Sequence, residues 1–127
     1  MIVIDSSGWL DFFTYGPLAD TYGAYIEGDE PIVVPTVVLY EVYKTLRRGS
    51  SEELADEAAF HLTRQRVVPL DSDMALAAAE ASLAHGLPFA DAVIYATATI
   101  HGATVITSDA HFAALEGVQY IPKPAGG

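Results

Sequence analysis

Asp5, Glu41, Asp91 and Asp109 are the side chains whose settings in this sequence suit chemistry. Asp5 closes the run IVID, and Asp109 follows VIT after a single serine. If those two runs are neighbouring parallel strands, both carboxylates sit beyond strand carboxyl ends, where ligands gather in open α/β sheets. Asp91 shares a helical face with Ile94, Tyr95 and Ala98, so it points along an apolar stripe. Glu41 follows Pro35 in a segment whose other side carries Val38, Val42 and Leu46. Each acid alone has an ordinary alternative. Asp5 and Asp109 suit helix N-caps, Asp91 a first helical turn, and Glu41 a solvated pair with Lys44. Brought together they repel one another and require a cation. The chain has no cysteine, so a metal must be held by oxygen or imidazole, and clustered carboxylates suit Mg²⁺ or Mn²⁺.

Other polar residues divide between chemistry and housekeeping. Lys44 and Arg48 follow Glu41 on the same helical face, either as solvated cations near a helix C-terminus or as a strip that contacts phosphates. Asp71 and Asp73 open an Ala-rich helix and read as capping residues. Arg64 and Arg66 read as cations at a helix C-terminus. His85 and His101 each precede a helix-ending glycine, whereas His111 stands close to Asp109. Trp9, Phe12, Phe13 and Tyr15 read as core or interface.

These residues need a frame, and strand-like and helix-like segments alternate along the whole chain, the pattern of an α/β domain with a parallel sheet. Strands are expected at 2–5, 32–35, 67–70, 103–107 and 118–121, the third at a sheet edge because of Pro69. Helices are expected from about Ser7, over 15–27, over 36–48 with Gly49 as C-cap, and over 51–65. Two more run from Asp71 or Ser72 to Gly86 and from Pro88 to Gly102, and a short one covers 110–115. The Pro88–Gly102 segment is apolar almost all round and should be buried.

At 127 residues and 51% hydrophobic, the chain is long enough for one domain with a core. Seventeen acidic residues against six basic ones give a formal charge of −11, which opposes loose binding to nucleic acid or anionic lipid and favours a basic protein partner. No stretch approaches the roughly 20 apolar residues of a membrane span, and the lack of cysteine fits a cytoplasmic protein.

The stretches MIVIDSSGWL, LYEVYKTLRRG and LPFADAVIYATATIHGATVITSDAHF resemble, in order and spacing, the PIN-domain ribonucleases, and most closely the VapC-type toxins of type II toxin–antitoxin modules. The resemblance implies a three-layer α/β/α fold with a central parallel sheet of four to five strands over residues 1–122, and a disordered tail at 123–127. It implies that Asp5, Glu41, Asp91 and Asp109 form an acidic quartet binding Mg²⁺ or Mn²⁺, with Ser6 and Thr107 orienting the carboxylates by hydrogen bonds. The activity implied is hydrolysis of RNA to 5′-phosphate and 3′-hydroxyl ends, Lys44 and Arg48 contacting the RNA. The partners implied are a VapB-type antitoxin and a second copy in a homodimer. A receiver-like phosphoacceptor domain is a poorer match, because VIDSS supplies no acidic pair at the first strand, VITSDA supplies no lysine, and Lys123 arrives too late. An RNA-processing nuclease without an antitoxin and a silent PIN-like binding module share the same residues.

Overall fold

A computed structural model describes residues 1–125. Five parallel strands, β1 (Ile2–Ile4), β2 (Val33–Pro35), β3 (Arg66–Val68), β4 (Thr104–Thr107) and β5 (Val118–Tyr120), lie in the order β3-β2-β1-β4-β5. The β2–β3 pair meets the other three through a single bridge between Ile2 and Ile32. Consecutive strand side chains point to opposite faces, yet every residue of β1 and of β2 is buried. Both faces of the sheet are therefore covered, and the layers are α/β/α as expected. Strand order reverses between β1 and β4, which pair in register Ile4 to Ile106.

The helices are α1 (Ser6–Thr14), α2 (Ala19–Ile26), α3 (Thr36–Gly49), α4 (Glu52–Thr63), α5 (Ser72–His85) and α6 (Phe89–His101). Gly86 and Gly102 close α5 and α6 in the left-handed region, at φ of 69° and 65°, where the lack of a Cβ removes the steric penalty. α6 lies against β1, β2 and β4. Its run Ala92–Ala98 is buried except for Tyr95, while Phe89 and Ile100 at its ends are exposed.

Several sequence expectations are corrected. Tyr15 does not begin α2: it ends α1 in the left-handed region at φ 55°, and Pro17 follows in a turn held by Gly16 N–H donating to the Asp11 carbonyl. Gly49 lies inside α3, and Ser50 is its cap. Arg66 belongs to β3 rather than to a helix end. After β4, only Ala110–Phe112 is helical, as a single 3-10 turn. The tail expected at 123–127 is a separate case: its residues 126 and 127 lie outside the described residues.

Gly8 is required by close packing. A Cβ there would lie 2.5 Å from the Tyr22 ring and 2.7 Å from Ile4 Cγ2. Tyr22 is itself buried and bonds through its hydroxyl to Ser108 Oγ at 2.6 Å. Gly8→Ala is expected to cost about 1–3 kcal/mol of stability by overpacking, measured as a lower midpoint in urea.

Candidate metal centre

The abrupt passage from β1 into α1 sets the first carboxylate. Asp5 leaves the strand in extended conformation and caps α1: its Oδ1 accepts from Gly8 N–H at 3.1 Å and from Ser7 Oγ at 2.8 Å. Its Oδ2 accepts from the hydroxyl of Thr107, the last residue of β4. Thr107 Oγ1 in turn accepts from Asp109 N–H at 2.9 Å. One hydroxyl thus ties the two strand ends together. Asp109 then caps the 3-10 turn, its Oδ1 accepting from His111 N–H at 2.8 Å.

The other two acids come from helices. Glu41, on α3, accepts from Ser6 Oγ at 2.6 Å instead of pairing with Lys44. Asp91 lies in the first turn of α6, its side chain 16% exposed. Asp5, Glu41, Asp91 and Asp109 line one cleft of about 250 Å³, with Leu10 and Ile94 as apolar walls and Thr45 beside Glu41. Ser6 and Thr107 each hydrogen-bond a carboxylate of the group that is remote in sequence, Glu41 for Ser6 and Asp5 for Thr107.

Electrostatics single out two members. Burial pushes the Asp5 carboxyl up, against the hydrogen bonds of Thr107, Ser7 and Gly8, and the charge of Asp109 adds to the rise. Asp91 is pushed up to about 6, by burial first and then by the charge of Asp109, with His111 opposing. Like charges held in a shielded cleft favour neutral carboxyls unless a cation arrives.

The donor set fits a divalent ion. Asp91, Asp109 and His111 each offer one ligand atom, all within 4.8 Å of one another. Asp5 accepts three hydrogen bonds out of about four lone-pair positions, leaving room for a further contact.

Lys44 and Arg48 are exposed on α3 outside the cleft lining. Lys44 Nζ leans on its neighbour Tyr40, 5.3 Å from the ring centre. Asp71 caps α5 through Met74 N–H at 2.9 Å, as expected, and has no place at the cleft. Sequence reasoning did not single out Ser7 or Thr45. The paired serines after Asp5 carried a signal for the first, and the spacing of four from Glu41 carried one for the second.

The sequence profile of the PIN domain family matches residues 2–118. No curated protein matches the chain by sequence. Solved structures do resemble it. A toxin–antitoxin complex from Klebsiella pneumoniae is 22% identical, with a TM-score of 0.79 over 95% of this chain and 100% of the other. Mycobacterium tuberculosis VapC20, described as a sarcin–ricin loop cleaving toxin, is 23% identical, with a TM-score of 0.79 over 96% and 100%. VapBC2 from Rickettsia felis, bound to a promoter DNA fragment, is 17% identical, with a TM-score of 0.73 over 96% and 98%. At these identities the likeness speaks for the fold. The family profile runs from the first strand into the last, and on that ground the chain belongs to the PIN domain family.

Proposed function

We propose that this protein is a metal-dependent endoribonuclease, the toxin of a type II toxin–antitoxin pair. One observation carries the proposal: four carboxylates from two strand ends and two helices converge on a single cleft at the point where strand order reverses. In this reading Asp5, Asp91 and Asp109 hold Mg²⁺ or Mn²⁺. The ion, when bound, lowers the pKa of water and neutralises charge on the phosphodiester. Ser6 fixes Glu41 through Oε1, leaving Oε2 to orient the attacking water and take its proton. Thr107 holds Asp5 in place and, through Asp109 N–H, sets the turn that carries the second strand-end carboxylate.

The substrate assignment rests on the family likeness and on α3. Thr45 lines the cleft, and Arg48 follows it at a spacing of three, so the exposed cations Lys44 and Arg48 can accompany a backbone leaving the cleft. Such contacts show as salt dependence. Arg48→Ala is expected to weaken RNA binding at every sequence and to reduce the slope of log affinity against log salt by about 0.7. An unchanged slope would remove Arg48 from the RNA path.

For the antitoxin, the supporting feature is a groove of about 410 Å³ between α1 and α2. Phe12 and the 90% exposed Tyr15 give it apolar character, and Asp20 and Glu27 give it negative charge, a fit for a basic amphipathic segment. Trp9 and Phe13 are buried in the core and take no part in a homodimer face. Exposed Leu76 and Leu83 on α5, with Phe89 and Ile100 on α6, are the better apolar surface for one.

The test is incubation of the full chain with total RNA, with Mn²⁺ and with chelator, beside Asp109→Ala. Cleavage that needs metal and is lost in the variant is the expected result; cleavage that survives chelation and substitution overturns the assignment. A short reading frame directly upstream whose product suppresses cleavage would support the toxin role, and a solitary gene harmless on overexpression would count against it.

A further inference from the structure

His111 stands outside the acidic quartet, yet it is held against it from two directions. Its backbone N–H donates to Asp109 Oδ1 at 2.8 Å, and its ring Nδ1 lies 2.8 Å from the same oxygen and 3.3 Å from Asp91 Oδ2. The tight 3-10 turn after β4 produces this placement, by folding the residue two positions on from Asp109 back over the carboxylate. The ring is bound to no other polar group among the described residues, and its side chain is 57% exposed. A core role does not account for it.

Chemistry distinguishes a nitrogen donor from a fifth oxygen. Mg²⁺ demands oxygen ligands in near-ideal octahedral geometry and gives up its waters reluctantly. Imidazole binds first-row transition ions more readily than it binds Mg²⁺, and Mn²⁺ is the one among them that shares the preference of Mg²⁺ for carboxylate and water oxygens. Asp91, Asp109 and His111 place two carboxylate oxygens and one imidazole nitrogen within 4.8 Å of one another, close enough to share one ion. On these grounds, and resting on the metal reading above, we propose that His111 lends Nδ1 to the ion held by Asp91 and Asp109, and so tilts the centre towards Mn²⁺ and away from Mg²⁺.

The experiment reads the ion and not the reaction. Mn²⁺ is added to the purified full chain, and pulsed EPR records nitrogen coupling to the metal, beside Mn²⁺ and Mg²⁺ affinities from calorimetry. The same measurements are made on His111→Ala and His111→Asn; an exposed side chain at this position makes misfolding of either an improbable explanation, and circular dichroism checks it. The expected result is a ¹⁴N signal in the parent that both substitutions remove, with the preference for Mn²⁺ over Mg²⁺ falling about tenfold. Mn²⁺ bound without nitrogen coupling overturns the role of His111 and leaves the carboxylate centre standing. Equal losses of Mn²⁺ and Mg²⁺ affinity overturn the selectivity. Absence of Mn²⁺ binding by the parent overturns both this inference and the metal reading beneath it.

Discussion

Asp5→Asn is expected to reduce RNA cleavage on the order of 10²–10³-fold, the scale of losing one preorganised charge-stabilising group, while leaving the metal-free fold at least as stable as the parent. The two effects separate because Asp5 does two jobs. As a ligand it needs a negative charge. As the cap of α1 it needs only an acceptor for Gly8 N–H and Ser7 Oγ, which the asparagine carbonyl supplies. Burial raises the carboxyl of Asp5, so its ionised form works against folding at neutral pH, and the amide relieves that cost. Both substitutions take the acceptor Oδ2 away from the Thr107 hydroxyl, the amide presenting a donor in its place, and Asp5→Ala removes the cap as well as the charge. It should lose cleavage to the same degree and also about 1–2 kcal/mol of stability. Thermal unfolding in chelator beside cleavage assays distinguishes the pair; a strongly destabilised Asp5→Asn would show that the ionised oxygen facing Thr107 supports the fold.

Mn²⁺ is expected to raise the melting temperature by roughly 10 °C at a hundredfold excess over its dissociation constant, since binding to the folded state alone contributes about 2.7 kcal/mol there. The gain should depend on pH, with a sign set by Asp91. Its carboxyl moves from 3.8 to about 6 on folding, so the folded chain holds that proton more tightly than the unfolded chain does. The group therefore favours folding at low pH, and this contribution declines as pH rises through the interval between the two values. In chelator, the melting temperature should fall between about pH 4 and about pH 6, and Asp91→Asn should flatten that decline. With Mn²⁺ the dependence should turn round, because the ion requires the ionised carboxylate and competes with the proton. A metal-independent melting temperature at every pH would remove the centre.

The strand-end acids were legible because the chemistry of their position is local. A β-branched run that stops at a small polar residue and Asp marks both a strand exit and a helix cap, and the structure uses Asp5 and Asp109 for both purposes. Glu41 and Asp91 were less legible. Their helical faces could be read, but the convergence of those faces on one cleft depends on how α3 and α6 pack, and no spacing within either helix encodes it. The family resemblance supplied the missing order. His111 attracted notice through its nearness to Asp109, but no spacing in the sequence told that its ring lies within reach of Asp91 as well. Tyr15 misled for a different reason: a left-handed residue at a helix end is usually glycine, so a tyrosine gave no warning that α1 stopped there.

The central position of β4 bears on when the protein first becomes active. β1 is made well before β4, and β2 can join it early, but its other edge stays unpaired until residues 104–107 slot between it and β5. Asp5 therefore waits for Thr107 and Asp109 while the residues between them are translated. Chains emerge from the ribosome at about 5–20 residues per second and fold from the N-terminal side. A nascent or prematurely terminated chain then carries the first three acids without the fourth, and has no completed centre. For an enzyme of the proposed kind, the distance along the chain between Asp5 and Asp109 postpones a complete centre until β4 has been made and paired.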